Sequence, residues 1–219
     1  MPNSQPQKNP PAEKQRRPKR RWLLLAVALV GLLLFLLFVH PFLAINRRVP
    51  ADTLIVEGWL PDYAAVSAAK EFQSGHYRKI FVSGIVLGKD DPHFTDGSDS
   101  ALIVRTLQAQ GIDPAMIEAC PVSSPIFNRT SLMARGVSDR MKASNYTPHG
   151  ANVVTLGPHA RQTLLAYERM LGARTAVGVI SYPKDDYNPA RWWTSMAGIK
   201  KTTKDFAGWL KELLVGRRS

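Results

Sequence analysis

A single cysteine, Cys120, stands in 219 residues. An intramolecular disulfide is therefore impossible, and a cysteine-based metal site is not expected. Several familiar motifs are also missing: the chain has no G-x-S-x-G nucleophile elbow, no P-loop, and no G-x-G-x-x-G after its first apolar strand. Serine-hydrolase, P-loop and dinucleotide chemistries thus lose their usual signatures. No internal repeat is visible. Asp90, Asp91, His93, Asp96 and Asp99 have a metal-like composition, but their spacing fits neither an EF-hand loop nor a zinc pattern. A solvated acidic loop is expected there and no metal. Asn128-Arg129-Thr130 matches a glycosylation acceptor, a three-residue pattern of low specificity.

What the chain does carry is positive charge, unevenly spread. Its formal net charge is +12, and residues 1–21 hold seven Lys or Arg against one Glu. Half of the excess thus sits in a short N-terminal tail, which reads as disordered because it has almost nothing to bury. From Trp22 to Val39 no residue is charged, and Pro41 to Ile45 prolong the apolar run. Residues 22–45 are long enough to cross about 30 Å of hydrocarbon. The run exceeds a usual signal-peptide core, and Phe42-Leu43-Ala44 is a poor cleavage site, so an uncleaved anchor is expected. The basic tail before it, against only Arg47 and Arg48 close behind, predicts a cytoplasmic N-terminus at the inner membrane with the following domain extracytoplasmic. The tail thus serves topology, and no nucleic-acid partner is expected.

Residues 50–216 alternate short apolar strands with helical stretches. Strands are expected at 52–57, 79–83, 117–122, 153–156 and 176–180, with helices at 61–72, 98–111, 130–143 and 158–171. This alternation predicts an α/β, doubly wound domain with a mainly parallel five-stranded sheet and helices on both faces. A last helix begins near Ile199, with Ile199, Phe206, Trp209, Leu210 and Leu213 on one face and Lys200, Lys201, Lys204 and Lys211 on the other. Its apolar face is expected to pack on the sheet; the alternative is a helix lying on the membrane surface.

The most informative stretch is Asn152 to Thr163, NVVTLGPHARQT. A strand breaks at Gly157 and a helix restarts at Pro158, where free N–H groups and the helix dipole favour an anion. His159 and Arg161 add to that preference. In open α/β sheets, ligands bind beyond the carboxyl ends of the strands, at the switch in strand order. If the first and fourth strands flank that switch, Glu57-Gly58-Trp59 faces Gly157 to Arg161, with Ser83-Gly84 nearby. Glu57 ends an apolar strand, where a carboxylate is costly to bury unless paired. Near an imidazole it could orient the ring or raise its pKa.

These segments resemble the bacterial envelope proteins of the SanA, ElyC and YdcF type, a domain of unknown function. The family's opening strand stands here as ADTLIVEGW, and its Ser-Gly-Gly strand end as Phe81-Val82-Ser83-Gly84, with Ile85 in place of the last Gly. Its serine-glutamate-alanine helix start corresponds to Ser98 to Ala101. Asn128, Thr130 and Ala134 represent a further element, in which Leu132 and Met133 replace Glu and Asn. The strongest match is VTLGPHARQT, which keeps His159 and Arg161 and has Gln162 for a second Arg. EGWLPDYA, NVVTLGPHAR and YNPARWW mark a distinct branch. The resemblance implies a Rossmann-like domain, often membrane-anchored, linked to envelope biogenesis or barrier integrity.

The combined expectation is an anchored domain that binds, or also processes, an anionic, phosphorylated envelope precursor. Lipid-linked phosphates lie at that membrane, and no particular cofactor is indicated. Glu57 and His159 are the candidate acid–base pair. Gly58, Ser83, Gly84, Thr130, Gly157, His159 and Arg161 are the candidate ligand-binding residues. Two alternatives stand: a non-catalytic envelope scaffold, and a cytoplasmic-facing transferase using a nucleotide-type cofactor.

Overall fold

Thr53–Glu57 form β1, and all five residues are buried. A strand covered on both faces belongs in the middle of a sheet with helices on either side. In the computed structural model, which describes residues 18–86, 97–123 and 128–216, β1 has that place. It pairs in parallel with β2 (Lys79–Ile85) on one side and β4 (Gly150–Leu156) on the other. β3 (Ile117–Val122) and β5 (Ala176–Tyr182) form the edges, giving the order β3-β2-β1-β4-β5, parallel throughout. The chain runs outward from β1 to β3, then crosses back to β4, so the order reverses between β1 and β4.

Alternation along β1 sends Leu54 and Val56 to one face and Ile55 to the other. The first face packs with Ala64, Ala65, Ala68 and Ala69 of α2 (Asp62–Ser74) and with Ile103 and Leu107 of α3 (Asp99–Ala109). The second packs with Ala134 and Val137 of α4 (Arg129–Ala143) and with Leu164 and Tyr167 of α5 (Ala160–Leu171). Each large aliphatic side chain so buried contributes about 1.5–3 kcal/mol before entropy is counted. The expected α/β class and five parallel strands are present.

The chain divides into two units between Leu36 and Leu37. The N-terminal helix, α1, is described over Pro18–Leu43. Within it, Arg20–Leu43 is long and apolar enough to cross a membrane, its most apolar 18-residue window having a mean hydropathy of 3.0. Its side chains from Trp22 to Leu34 are about half exposed or more. The last turn belongs to the second unit: Val39, His40 and Leu43 are buried, and His40 Nε2 lies 2.9 Å from the Tyr187 hydroxyl. The chain then runs along β5, where Arg47 and Val179 exchange both backbone hydrogen bonds. Gly178 permits this approach, because a Cβ there would lie 2.1 Å from Asn152 Oδ1. That amide accepts from Val49 N–H and donates to its carbonyl, both at 3.0 Å.

The last helix, α6 (Met196–Gly216), departs from expectation. It packs on α5 and on the turns at Gly157–His159 and Pro189–Thr194, not on the sheet. Its buried positions include the polar Thr202, Asp205 and Glu212, while Ile199 and Leu210 of the expected packing face are exposed. Polar partners explain the rotation. The Glu212 carboxylate accepts from Ser131 Oγ at 2.7 and 2.9 Å and from Arg169 Nη1 at 2.9 Å. Gly208 lets α6 close on Gln162 of α5, whose Oε1 would be 2.1 Å from a Cβ there.

Candidate functional site

The switch between β1 and β4 brings three elements to one point. β1 ends in Glu57, whose side chain has no exposed surface. Thr155 of β4 and Thr163 of α5 donate to its two carboxylate oxygens, at 2.5 and 3.1 Å. These bonds answer the cost of burying an acid. Burial nonetheless pushes the Glu57 carboxyl above its ordinary value, against the charge of His159 and the two threonine bonds, which pull it down.

After β4 the chain makes a tight 3-10 turn at Gly157–His159, and α5 begins at Ala160, two residues later than expected. Gly157 adopts φ +49, a left-handed conformation that suits glycine. The turn leaves His159 at the N-cap position of α5, facing Glu57. His159 Nε2 lies 4.0 Å from Glu57 Oε1 and 3.4 Å from Thr130 Oγ1, which also accepts from Gln162 Nε2 at 3.2 Å.

α6 supplies the other half. Asp205 Oδ1 lies 3.1 Å from His159 Nδ1, and its Oδ2 lies 3.1 Å from Lys201 Nζ. A carboxylate on Nδ1 fixes the proton there and turns Nε2 toward Glu57 and Thr130. Burial alone would raise the Asp205 carboxyl, but the bond to His159, its charge and Lys201 together hold it below its ordinary value. Trp59 completes the corner, edge-on to the His159 ring with centroids 5.2 Å apart and with Lys201 Nζ 5.0 Å over its own ring.

His159 opens onto a cleft of about 600 Å³. Arg129, Lys201, Lys204 and Lys211 line it, against the carboxylates of Asp99 and Asp205. Asp205 is already paired, and Asp99 accepts from Ile85 N–H at 2.6 Å. Burial raises the Asp99 carboxyl, with that backbone bond and the Arg129 charge opposing. The cleft thus has positive charge in excess, and Trp59 and Met133 give it an apolar part. Among the described residues, no group of His, Cys, Asp and Glu could hold a metal ion.

Of the residues singled out from sequence, Glu57, Thr130 and His159 come together. Gly58 and Gly84 are packing positions beside them: a Cβ on Gly58 would lie 2.4 Å from the Ser83 carbonyl, and one on Gly84 2.5 Å from Asp99 Oδ1. Ser83 pairs with Glu57 across the sheet, but its hydroxyl is buried and does not line the cleft. Gly157 lines a smaller pocket with His40, Lys184 and Tyr187. Arg161 points away from the cleft. Its Nε donates to the Phe42 carbonyl at 2.5 Å and its guanidinium sits 4.0 Å over the Phe42 ring. Of the acidic loop, residues 90–96 lie outside the described residues.

Asp205, Lys201 and Gln162 were not expected at the site. Thr202, Asp205 and Glu212 recur at helical spacing along α6, a polar stripe that could have been read as its buried face. No known family model and no curated protein matches the chain.

Proposed function

We propose that the chain is a membrane-anchored envelope protein whose α/β domain binds a phosphorylated precursor in the cleft beside His159. The observation that carries this reading is the cationic lining, Arg129, Lys201, Lys204 and Lys211, around an imidazole oriented by Asp205. Charge-assisted donors converging from different elements suit a phosphate or pyrophosphate better than a neutral ligand. Lys201, held by Asp205, and His159 both line the cleft. An oriented imidazole also supplies the acid–base group that processing of such a ligand requires. Trp59 and Met133 offer apolar contact to whatever carries the phosphate.

The setting rests on the basic flank before the apolar helix, which favours a cytoplasmic N-terminus and an extracytoplasmic domain at the inner membrane. The resemblance to the SanA, ElyC and YdcF type supports this reading through VTLGPHARQT, since His159 lines the cleft. A C-terminal reporter active only inside the cytoplasm would reverse the orientation and revive the transferase alternative.

Titration calorimetry of the detergent-solubilised full chain with inorganic phosphate and pyrophosphate tests the reading. Loss of one charge-assisted hydrogen bond, about 1.5–3 kcal/mol, weakens binding by about 10- to 100-fold for His159→Ala and Lys201→Ala. Arg161→Ala binds as wild type. Equal binding by all four proteins, or none by any, sinks the proposal and favours the scaffold reading.

A further inference from the structure

α6 carries three kinds of surface in order around its circumference. Thr202, Asp205 and Glu212 face inward and are buried. Lys200, Lys204 and Lys211 come next and are exposed. Opposite the buried face lies an apolar stripe: Met196 is 78% exposed, Leu214 59%, Leu210 38% and Ile199 36%. Nothing among the described residues covers this stripe, although burying such side chains is worth about 1.5–3 kcal/mol each.

Its neighbour says what would cover it. Phe42 lies in the last turn of the apolar N-terminal helix and within the second unit. Its ring meets Trp209 of α6 edge-to-face at 5.0 Å, and Trp209 in turn touches Phe206 at 5.7 Å. Arg161 caps the Phe42 ring from the other element. The apolar surface of α6 is therefore continuous, through Trp209, with the end of the segment long and apolar enough to span a bilayer. Trp and Arg at such a point are the residues found at headgroup depth.

We infer that α6 lies on an anionic bilayer surface, with Met196, Ile199, Leu210 and Leu214 in the headgroup–acyl boundary and Lys200, Lys204 and Lys211 at the phosphates. An exposed apolar stripe bordered by lysines is the pattern of an interfacial helix. Each lysine close to an anionic surface adds about 1 kcal/mol. Lys204 and Lys211 also line the cleft, so docking brings the mouth of the cleft to the level of lipid headgroups. The inference rests on the membrane span and not on the identity of the cleft's ligand.

The test uses the full chain with Cys120, which is buried, changed to serine and an environment-sensitive fluorophore on Leu210→Cys, Leu214→Cys or, as control, Asp139→Cys on α4. Each protein is reconstituted into vesicles of phosphatidylethanolamine and phosphatidylglycerol. The expected result is blue-shifted emission that brominated acyl chains quench at 210 and 214, and neither effect at 139. Quenching should weaken when phosphatidylcholine replaces phosphatidylglycerol. Emission at 210 and 214 matching the control overturns the inference. A blue shift without quenching also overturns it, because another protein surface then covers the stripe. Quenching indifferent to lipid charge removes the role given to the lysines. Unchanged thermal unfolding of each variant shows that the labels report on a folded domain.

Discussion

Asp205→Asn is the most informative single change, because Asp205 joins α6 to the site at the end of β4. The carboxylate is 2% exposed and meets His159 Nδ1 at 3.1 Å and Lys201 Nζ at 3.1 Å, with partner side chains only 13% and 18% exposed. Asparagine keeps the shape and one acceptor but removes the charge. Hydrogen bonds to a charged group are worth about 1.5–3 kcal/mol and neutral ones about 0.5–1.5, so a net loss of about 1–3 kcal/mol is expected. For a domain of this size that is a fall in Tm of roughly 3–10 °C. The pH dependence has a defined sign. A carboxyl held below its ordinary value contributes stability above that ordinary value, near pH 4, and loses it as pH falls through the lowered one. The gap between wild type and Asp205→Asn should therefore be full at pH 6–7 and should narrow below about pH 4. Thermal unfolding of the solubilised full chain, followed by tryptophan fluorescence across that range, measures it. Equal melting at pH 7, or a gap that widens in acid, would refute the reasoning.

Glu57→Gln should behave in the opposite way. The buried carboxyl is held above its ordinary value, so its contribution is lost as pH rises through that raised value. The variant should gain on wild type from pH 4 to pH 8, by about 1.4 kcal/mol per unit of pKa difference, and parallel stability curves would contradict this. Gly58→Ala should destabilise by about 1–3 kcal/mol through overpacking, since its Cβ would lie 2.4 Å from the backbone of β2. Chemical denaturation checks it, with Gly172→Ala as a control whose new Cβ meets nothing within 4 Å and whose penalty comes from φ +77 alone. If Gly58→Ala unfolds with wild type, close packing of β1 on β2 is not the reason for glycine there.

The fold was legible because its signals are local. Apolar runs broken by Gly and Pro, alternating with helical periods, place all five strands. They miss only ends such as Gly84-Ile85 and Gly150 to Asn152, where small or polar residues sit inside β2 and β4. Glu57 and His159 were legible for the same reason, each standing at the end of a strand beside the switch. Arg161 was misleading: its position in the first turn of a helix suggests an anion, yet the Phe42 carbonyl and ring take the guanidinium. Asp205 and Lys201 were hidden because their role depends on how α6 is rotated. An apolar stripe normally decides that rotation. Here the buried pairing of Asp205 with His159 and of Glu212 with Arg169 turns the stripe outward.

The proposed function stands or falls with a phosphoryl group in the cleft beside His159. A crystal structure of the full chain grown with pyrophosphate tests it most directly. Phosphoryl density is expected within hydrogen-bond distance of His159 Nε2 and Lys201 Nζ, bounded by Arg129 and Lys204. A cleft without that density, with pyrophosphate bound instead at Arg161 or beside Lys184, would contradict it.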